Sequence, residues 1–124
     1  MSDVAISVTT LTAGTVSADV ITTAEGGTNV PTGDTAVIDV GNECRNVIIT
    51  LYGSGAATAT IQAGDAPLAK RAGLGAGSAQ SVPANDLLLI VVDAGQHMHD
   101  DGKIRIDIAT NAVVVGAHRI PNTV

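Results

Sequence analysis

The chain contains no phenylalanine and no tryptophan, and Tyr52 is its single aromatic residue. A core must therefore be built from Val, Ile, Leu and Ala, each of which buries less area than a ring. Stability then has to come from many small contacts, from backbone ladders, or from burial against a partner. The shortage of rings also removes the stacking platforms that single-stranded nucleic acid needs, and it leaves a sugar only Tyr52. Basic residues are few as well: 6 Lys and Arg stand against 12 Asp and Glu, giving a net charge of −6. Only Lys70 and Arg71 are adjacent, so there is no basic stripe and no nucleic-acid partner is expected.

A single cysteine, Cys44, excludes an internal disulfide framework. It lies between Glu43 and Arg45 with no histidine near in sequence. It reads as a small packed side chain rather than a reactive thiol. Long apolar runs are missing too. The longest, Leu87 to Val92, has 6 residues, whereas a membrane helix needs about 20; no membrane partner is expected. The opening MSDVAISVTT has no basic region leading into an apolar segment, so a secretory signal is not expected and folding in a cytoplasm is. No Ser-His-Asp or Cys-His constellation has recognisable local context. Neither an enzyme nor a cofactor is expected.

What remains is a series of short strand signals separated by turns. Ser81 to Asp93, SVPANDLLLIVVD, anchors the reading. Its apolar run lies between Pro83-Ala84-Asn85-Asp86 and Asp93-Ala94-Gly95, which predicts a central strand buried on both faces. Val4, Ile6 and Val8 alternate with polar or small residues and predict a strand with one apolar face. From Thr12 to Asp34 the chain is rich in Thr, Ala, Gly, Asp and Pro. A weak strand near Val16 to Thr22 and a loop fit this segment, and residues 1–34 read as an extended N-terminal arm and connection.

Residues 35–124 read as the folded domain. Thr35 to Val40 and Val47 to Tyr52 are strands. Gly53-Ser54-Gly55 turns the chain into Ala57 to Gln62, and the pair reads as a hairpin. Lys103 to Ile108, KIRIDI, alternates cleanly, and Ala112 to Val115 is expected to pair back onto it, with Ala117 to Ile120 as an extension. About seven to nine short strands at intervals of roughly ten residues predict an all-β chain, a β-sandwich or a small barrel.

Two clusters invite a chemical reading. In a strand, His97 and His99 of His97-Met98-His99-Asp100-Asp101 would share a face, as paired metal ligands do, and the carboxylates would complete a shell. The start of a cupin metal motif looks similar, but its following Glu is replaced by Lys103 and Ile104, and His118 is distant in sequence. No metal is assigned; His97 and His99 are the candidates if one binds, and a polar surface turn is the plainer reading. The glycines of Ala72 to Ser78, AGLGAGS, lack both a following helix and a Gly-Lys-Ser/Thr, so no phosphate cradle is expected.

Three segments carry a resemblance: VIITLYGSGAATATIQAGD, then SVPANDLLLIVVD, then HMHDDGKIRIDIATNAVVVGAHRIP. Val82-Pro83-Ala84 precedes the apolar strand, Asp101-Gly102 turns into KIRIDI, and Arg119-Ile120 closes the last strand. In this layout the chain resembles the small head decoration, or cement, proteins encoded beside the major capsid protein of tailed bacteriophages. The resemblance covers about two-thirds of the chain and carries no catalytic signature. It implies an antiparallel β-sandwich of jelly-roll type on the outer surface of a virion. The implied partners are the major capsid protein and further copies of the chain, a trimer being favoured. Val4, Ile6 and Val8 are then expected to add a strand to a neighbour's sheet edge, and Lys70 and Arg71 to orient an interface. Another phage head or tail component, a surface- or carbohydrate-binding β-sandwich, and a cupin-like metal enzyme are the alternatives.

Overall fold

In the computed structural model the chain is all-β, and its described residues are 2–17, 27–41, 46–65, 77–92 and 97–120. Ten strands form: β1 Asp3–Ile6, β2 Val8–Thr10, β3 Thr28–Val30, β4 Thr35–Asp39, β5 Val47–Tyr52, β6 Ala57–Ile61, β7 Ser78–Val82, β8 Leu87–Val91, β9 Lys103–Ala109 and β10 Val113–Arg119. They make two five-stranded sheets packed face to face as a β-sandwich. The first runs β1-β4-β9-β6-β7. The second runs β2-β10-β5-β8, with β3 also paired to β10.

Alternation drives the packing, because successive side chains in a strand point to opposite faces. Ile104, Ile106 and Ile108 of β9 point inward, as do Ala36 and Ile38 of β4 and Ala57, Ala59 and Ile61 of β6. They meet Val47, Ile49 and Leu51 of β5 and Val113, Val115 and Ala117 of β10. Every core side chain is aliphatic. The alanines of β6 sit beside the isoleucines of β9, with Ala59 opposite Ile108, so small and large residues share the layer.

The N-terminal residues complete the sheets of their own chain. β1 pairs in parallel with β4, Val4 opposite Ala36 and Ile6 opposite Ile38. After Ser7 the chain crosses to the other sheet, and β2 pairs in parallel with β10. Both sheets are therefore mixed, where purely antiparallel ones were expected. β2 lies along Ala117–Arg119 and β3 along Val113–Val115, so the two share one side of β10. Val16 and Ser17 belong to no strand; the rest of the weak strand expected there lies outside the described residues.

Three expectations need correction. The apolar run around β8 is an edge strand among the described residues, not a central one: there it pairs with β5 alone. Leu88 and Ile90 pack on the core, while Leu87, Leu89 and Val91 are 44%, 64% and 75% exposed. The Gly53-Ser54-Gly55 connection does not close a hairpin, since β5 and β6 lie in different sheets. Nor does Ala112–Val115 pair back on KIRIDI; β9 and β10 lie in different sheets. A tight turn signal fixes a change of direction, but two strands with apolar inner faces can satisfy it by packing as well as by pairing.

The crossings bind one another at one end of the sandwich. Asn111 Nδ2 donates to the Ala56 carbonyl at 2.7 Å, and the Asn85 amide donates to the Gly53 carbonyl at 2.7 Å. A Cβ at Gly55 would meet Asn111 Nδ2 at 2.9 Å, closer than real side chains come.

This packing gives an internal contrast. Ile106→Ala should cost about 2–5 kcal/mol, because the cavity cannot collapse between two sheets. Leu89→Ala, on the open face, should stay within about 0.5 kcal/mol. Urea unfolding of both variants checks the assignment of the two positions.

Candidate interaction face

The two outer surfaces of the sandwich differ in chemistry. Across the first sheet, the outward positions of β9 are Lys103, Arg105 and Asp107, flanked by Thr35 and Val37 of β4 and Thr58 and Thr60 of β6. Thr35 Oγ1 donates to Asp107 Oδ1 at 2.6 Å, and Gln62 Nε2 donates to the same oxygen at 2.9 Å. Arg105 Nη2 donates to Asp101 Oδ2 at 2.7 Å. That hydrogen bond holds the exposed Asp101 carboxyl below its ordinary 3.8, desolvation opposing it. This is a solvated, paired surface.

The second sheet carries apolar residues on both sides, with Thr9 of β2 and Asn29 of β3 exposed beside them. Its outward positions form three rows across β10, β5 and β8: His118–Ile48–Val91, Gly116–Thr50–Leu89 and Val114–Tyr52–Leu87. In the middle row Gly116 contributes no side chain. A groove of about 190 Å³ opens there, lined by Leu11, Ser17, Ile48, Thr50, Leu87, Leu89 and His118. The Leu11 amide donates to the Arg119 carbonyl at 2.9 Å, continuing the β2–β10 pairing and fixing Leu11 at the rim.

Two polar residues lie in this apolar setting. His118 is 7% exposed and Thr50 is 4% exposed. Among the described residues, neither ring nitrogen of His118 nor Thr50 Oγ1 has a hydrogen-bond partner. Leaving such a buried group unpaired costs about 1–3 kcal/mol. Burial lowers the His118 pKa below its ordinary 6.5, since the charged ring would lose its water.

The histidines weighed as metal ligands stand elsewhere. His97, Met98 and His99 are outside any strand, so the same-face geometry of a strand does not apply to them. Met98 packs against the core. His99 Nδ1 lies 3.7 Å from Asp65 Oδ1, and Asp65 Oδ2 accepts the Asp100 amide at 2.8 Å. Among the described residues no three His, Cys, Asp or Glu side chains are grouped so as to hold a metal ion. His118, which had been considered only as a remote third ligand, lies on the other sheet.

Of the candidate contact residues, Ile6 is in the core and Val4 and Val8 are half-buried against it. Strand exchange with a neighbour would require β1 to leave β4. Lys70 and Arg71 lie outside the described residues, as does Cys44. Residues missed as surface candidates are Leu87, Leu89 and Val91, whose unbroken apolarity was taken for two-sided burial. A signal for them was present: β5, β8 and β10 carry apolar residues at both parities, whereas β6 and β9 alternate. Strands of like pattern share a sheet here.

Comparison with protein-family models, with curated proteins and with solved structures finds no match to this chain. The class that the fold defines is an all-β sandwich with one polar and one apolar outer surface.

The buried imidazole predicts an acid sensitivity. His118 is neutral in the folded chain, and unfolding restores its ordinary value. Between the lowered value and 6.5 the unfolded chain binds the extra proton, so stability falls as pH drops through that window. Thermal unfolding from about pH 7 to about pH 5, above the range where Asp101 titrates, should show a declining Tm in the native chain. The decline should be shallower in His118→Leu. Parallel profiles would mean that the ring is not held neutral.

Proposed function

We propose that this chain is a structural virion protein: a decoration or cement protein that binds the outside of a bacteriophage capsid and bridges major capsid subunits. The observation that carries the reading is the apolar outer surface of the second sheet, ending at an open strand edge with Leu89 and Val91 largely exposed. A rimmed apolar surface of this kind marks a contact site, and the opposite, charged surface would remain toward water. Val82-Pro83-Ala84, Asp101-Gly102 and Arg119-Ile120, the features of the capsid-associated layout, fall at the entry to β8, the turn before β9 and the end of β10. Two of them adjoin β8 and β10, strands of the apolar surface, while Asp101-Gly102 leads into β9 of the polar sheet.

The mechanism follows from multivalency. Many copies on one shell turn modest individual interfaces into tight attachment. A copy that touches two capsid subunits stiffens the lattice only if its site exists in one form of the shell. Binding then selects that form through differential affinity. Assembly of the chain with its own copies, a trimer in the simplest case, would raise that multivalency further.

The test is cosedimentation of the purified chain with expanded and unexpanded heads of the phage that encodes it. Binding should be confined to expanded heads. Leu89→Asp should lose at least about ten-fold in affinity while its unfolding midpoint stays near that of the native chain. Equal binding to both forms, or full binding by Leu89→Asp, would overturn this assignment.

A further inference from the structure

We propose that β8 is a self-pairing edge: two copies of the chain join antiparallel along Leu87–Val91, on a two-fold axis at Leu89, and fuse their second sheets into one. This pairing goes beyond the capsid reading and commits self-assembly to a dimer in place of a trimer. Its first support is a contrast among the edges. An edge strand carries unpaired N–H and C=O groups, and proteins blunt such edges by keeping them short, polar or charged. β2 and β3 have three residues each. β1 has four and opens on Asp3. β7, SAQSV, exposes Ala79, Gln80 and Ser81. β8 is LLLIV, five residues with no charge, proline or glycine, and among the described residues it pairs with β5 alone. It has none of the protection the other edges carry.

Pattern and charge make a second copy the matching occupant. An edge takes an extended strand, whose backbone supplies the hydrogen bonds. Leu87, Leu89 and Val91 point outward, while Leu88 and Ile90 pack on the core, so the strand alternates identically when read from either end. Pairing centred on Leu89 sets Leu87 opposite Val91 of the second copy and Leu88 opposite its Ile90. Outer side chains meet outer ones and inner meet inner; a slip of one residue would break that match. The chain has a net charge of −6, so two copies approach best along a neutral strip. Asp86, exposed at the entry to β8, would lie opposite Val92 of the second copy. The two Asp86 carboxylates are then about 20 Å apart along the strands, well beyond the screening length of about 8 Å. Parallel pairing would set them side by side and leave a contact that does not close. Edge pairing also leaves the outer face of β5, β8 and β10 open, so the dimer doubles the apolar surface instead of consuming it.

The test is sedimentation velocity of the full chain over a range of concentrations. One edge pair is a small interface, below about 1,200 Å², so the mass should rise with concentration from 12.3 kDa to twice that value and stop. Leu89→Lys, which puts a charge on the axis, should abolish the rise while its urea midpoint stays near the native one. In a Cys44→Ser background, Leu89→Cys should oxidise to a covalent dimer, because directly opposed Cβ atoms lie about 5 Å apart. Val91→Cys should crosslink at least about ten-fold more slowly, since its equivalent stands about 13 Å further along the pair. The two cysteine variants read the register even if Leu89→Lys folds poorly. Monomer mass up to about 1 mM, a trimer, or equal crosslinking from both cysteines would overturn the pairing. A dimer that ignores expanded heads overturns the capsid reading alone, and a monomer that binds them overturns the pairing alone.

Discussion

Everything in this fold depends on filling the space between two sheets, about 10 Å apart, with aliphatic side chains alone. No ring spans the gap, so isoleucine, valine and leucine from both inner faces must interdigitate, with Ala57 and Ala59 making room for the isoleucines of β9. This demands that nearly every strand contribute its inward parity, including the short N-terminal ones. Ile6 is buried because β1 closes one sheet, and β2 closes the other immediately after the crossing at Ser7. The connections that cross between sheets at Gly53–Ala56 and Thr110–Ala112 put sequence neighbours on opposite layers. Strands adjacent in sequence, such as β5 with β6 and β9 with β10, therefore belong to opposite layers instead of hydrogen-bonding to each other.

The same constraint explains the difference between the outer surfaces. A sandwich requires only one apolar face from each sheet. The first sheet meets that requirement and places Lys103, Arg105, Asp107, Thr58 and Thr60 on the outside. The second sheet exceeds it. Ile48, Leu87, Leu89, Val91 and Val114 on its outer side contribute little to the fold, since the core is complete without them. Folding alone does not account for keeping them exposed, and a partner of the proposed kind would offset their cost in solubility.

A decoration protein is one molecule that would use such asymmetry, presenting one face to a shell and the other to water. Val4, Ile6 and Val8 first drew attention as a strand for exchange. In this fold β1 is an edge strand of the first sheet, and the outer face of β5, β8 and β10 is a second surface available without rearrangement. The open edge of β8 adjoins that surface, so backbone pairing and apolar packing could engage one partner together.

The residues alone determined the material and the alternation: an aromatic-free aliphatic core, strands at KIRIDI, VIITLY and TAVID, turns at Asn85, Gly102 and Thr110. These were legible because β propensity, period-two patterning and turn chemistry are local. The sheet to which each strand belongs was decided only in three dimensions. A glycine turn such as Gly53-Ser54-Gly55 serves a hairpin or a crossing equally well. An all-apolar strand such as Leu87–Val91 satisfies a central position or an edge with one open face. His118 looked like any histidine in the sequence; its burial under a groove with Thr50 arises from β10 lying between β2 and β5, a juxtaposition of residues 8–10, 47–52 and 113–119. Long-range pairing, and with it the apolar outer surface, is set by the free energy of the whole core rather than by any segment of it.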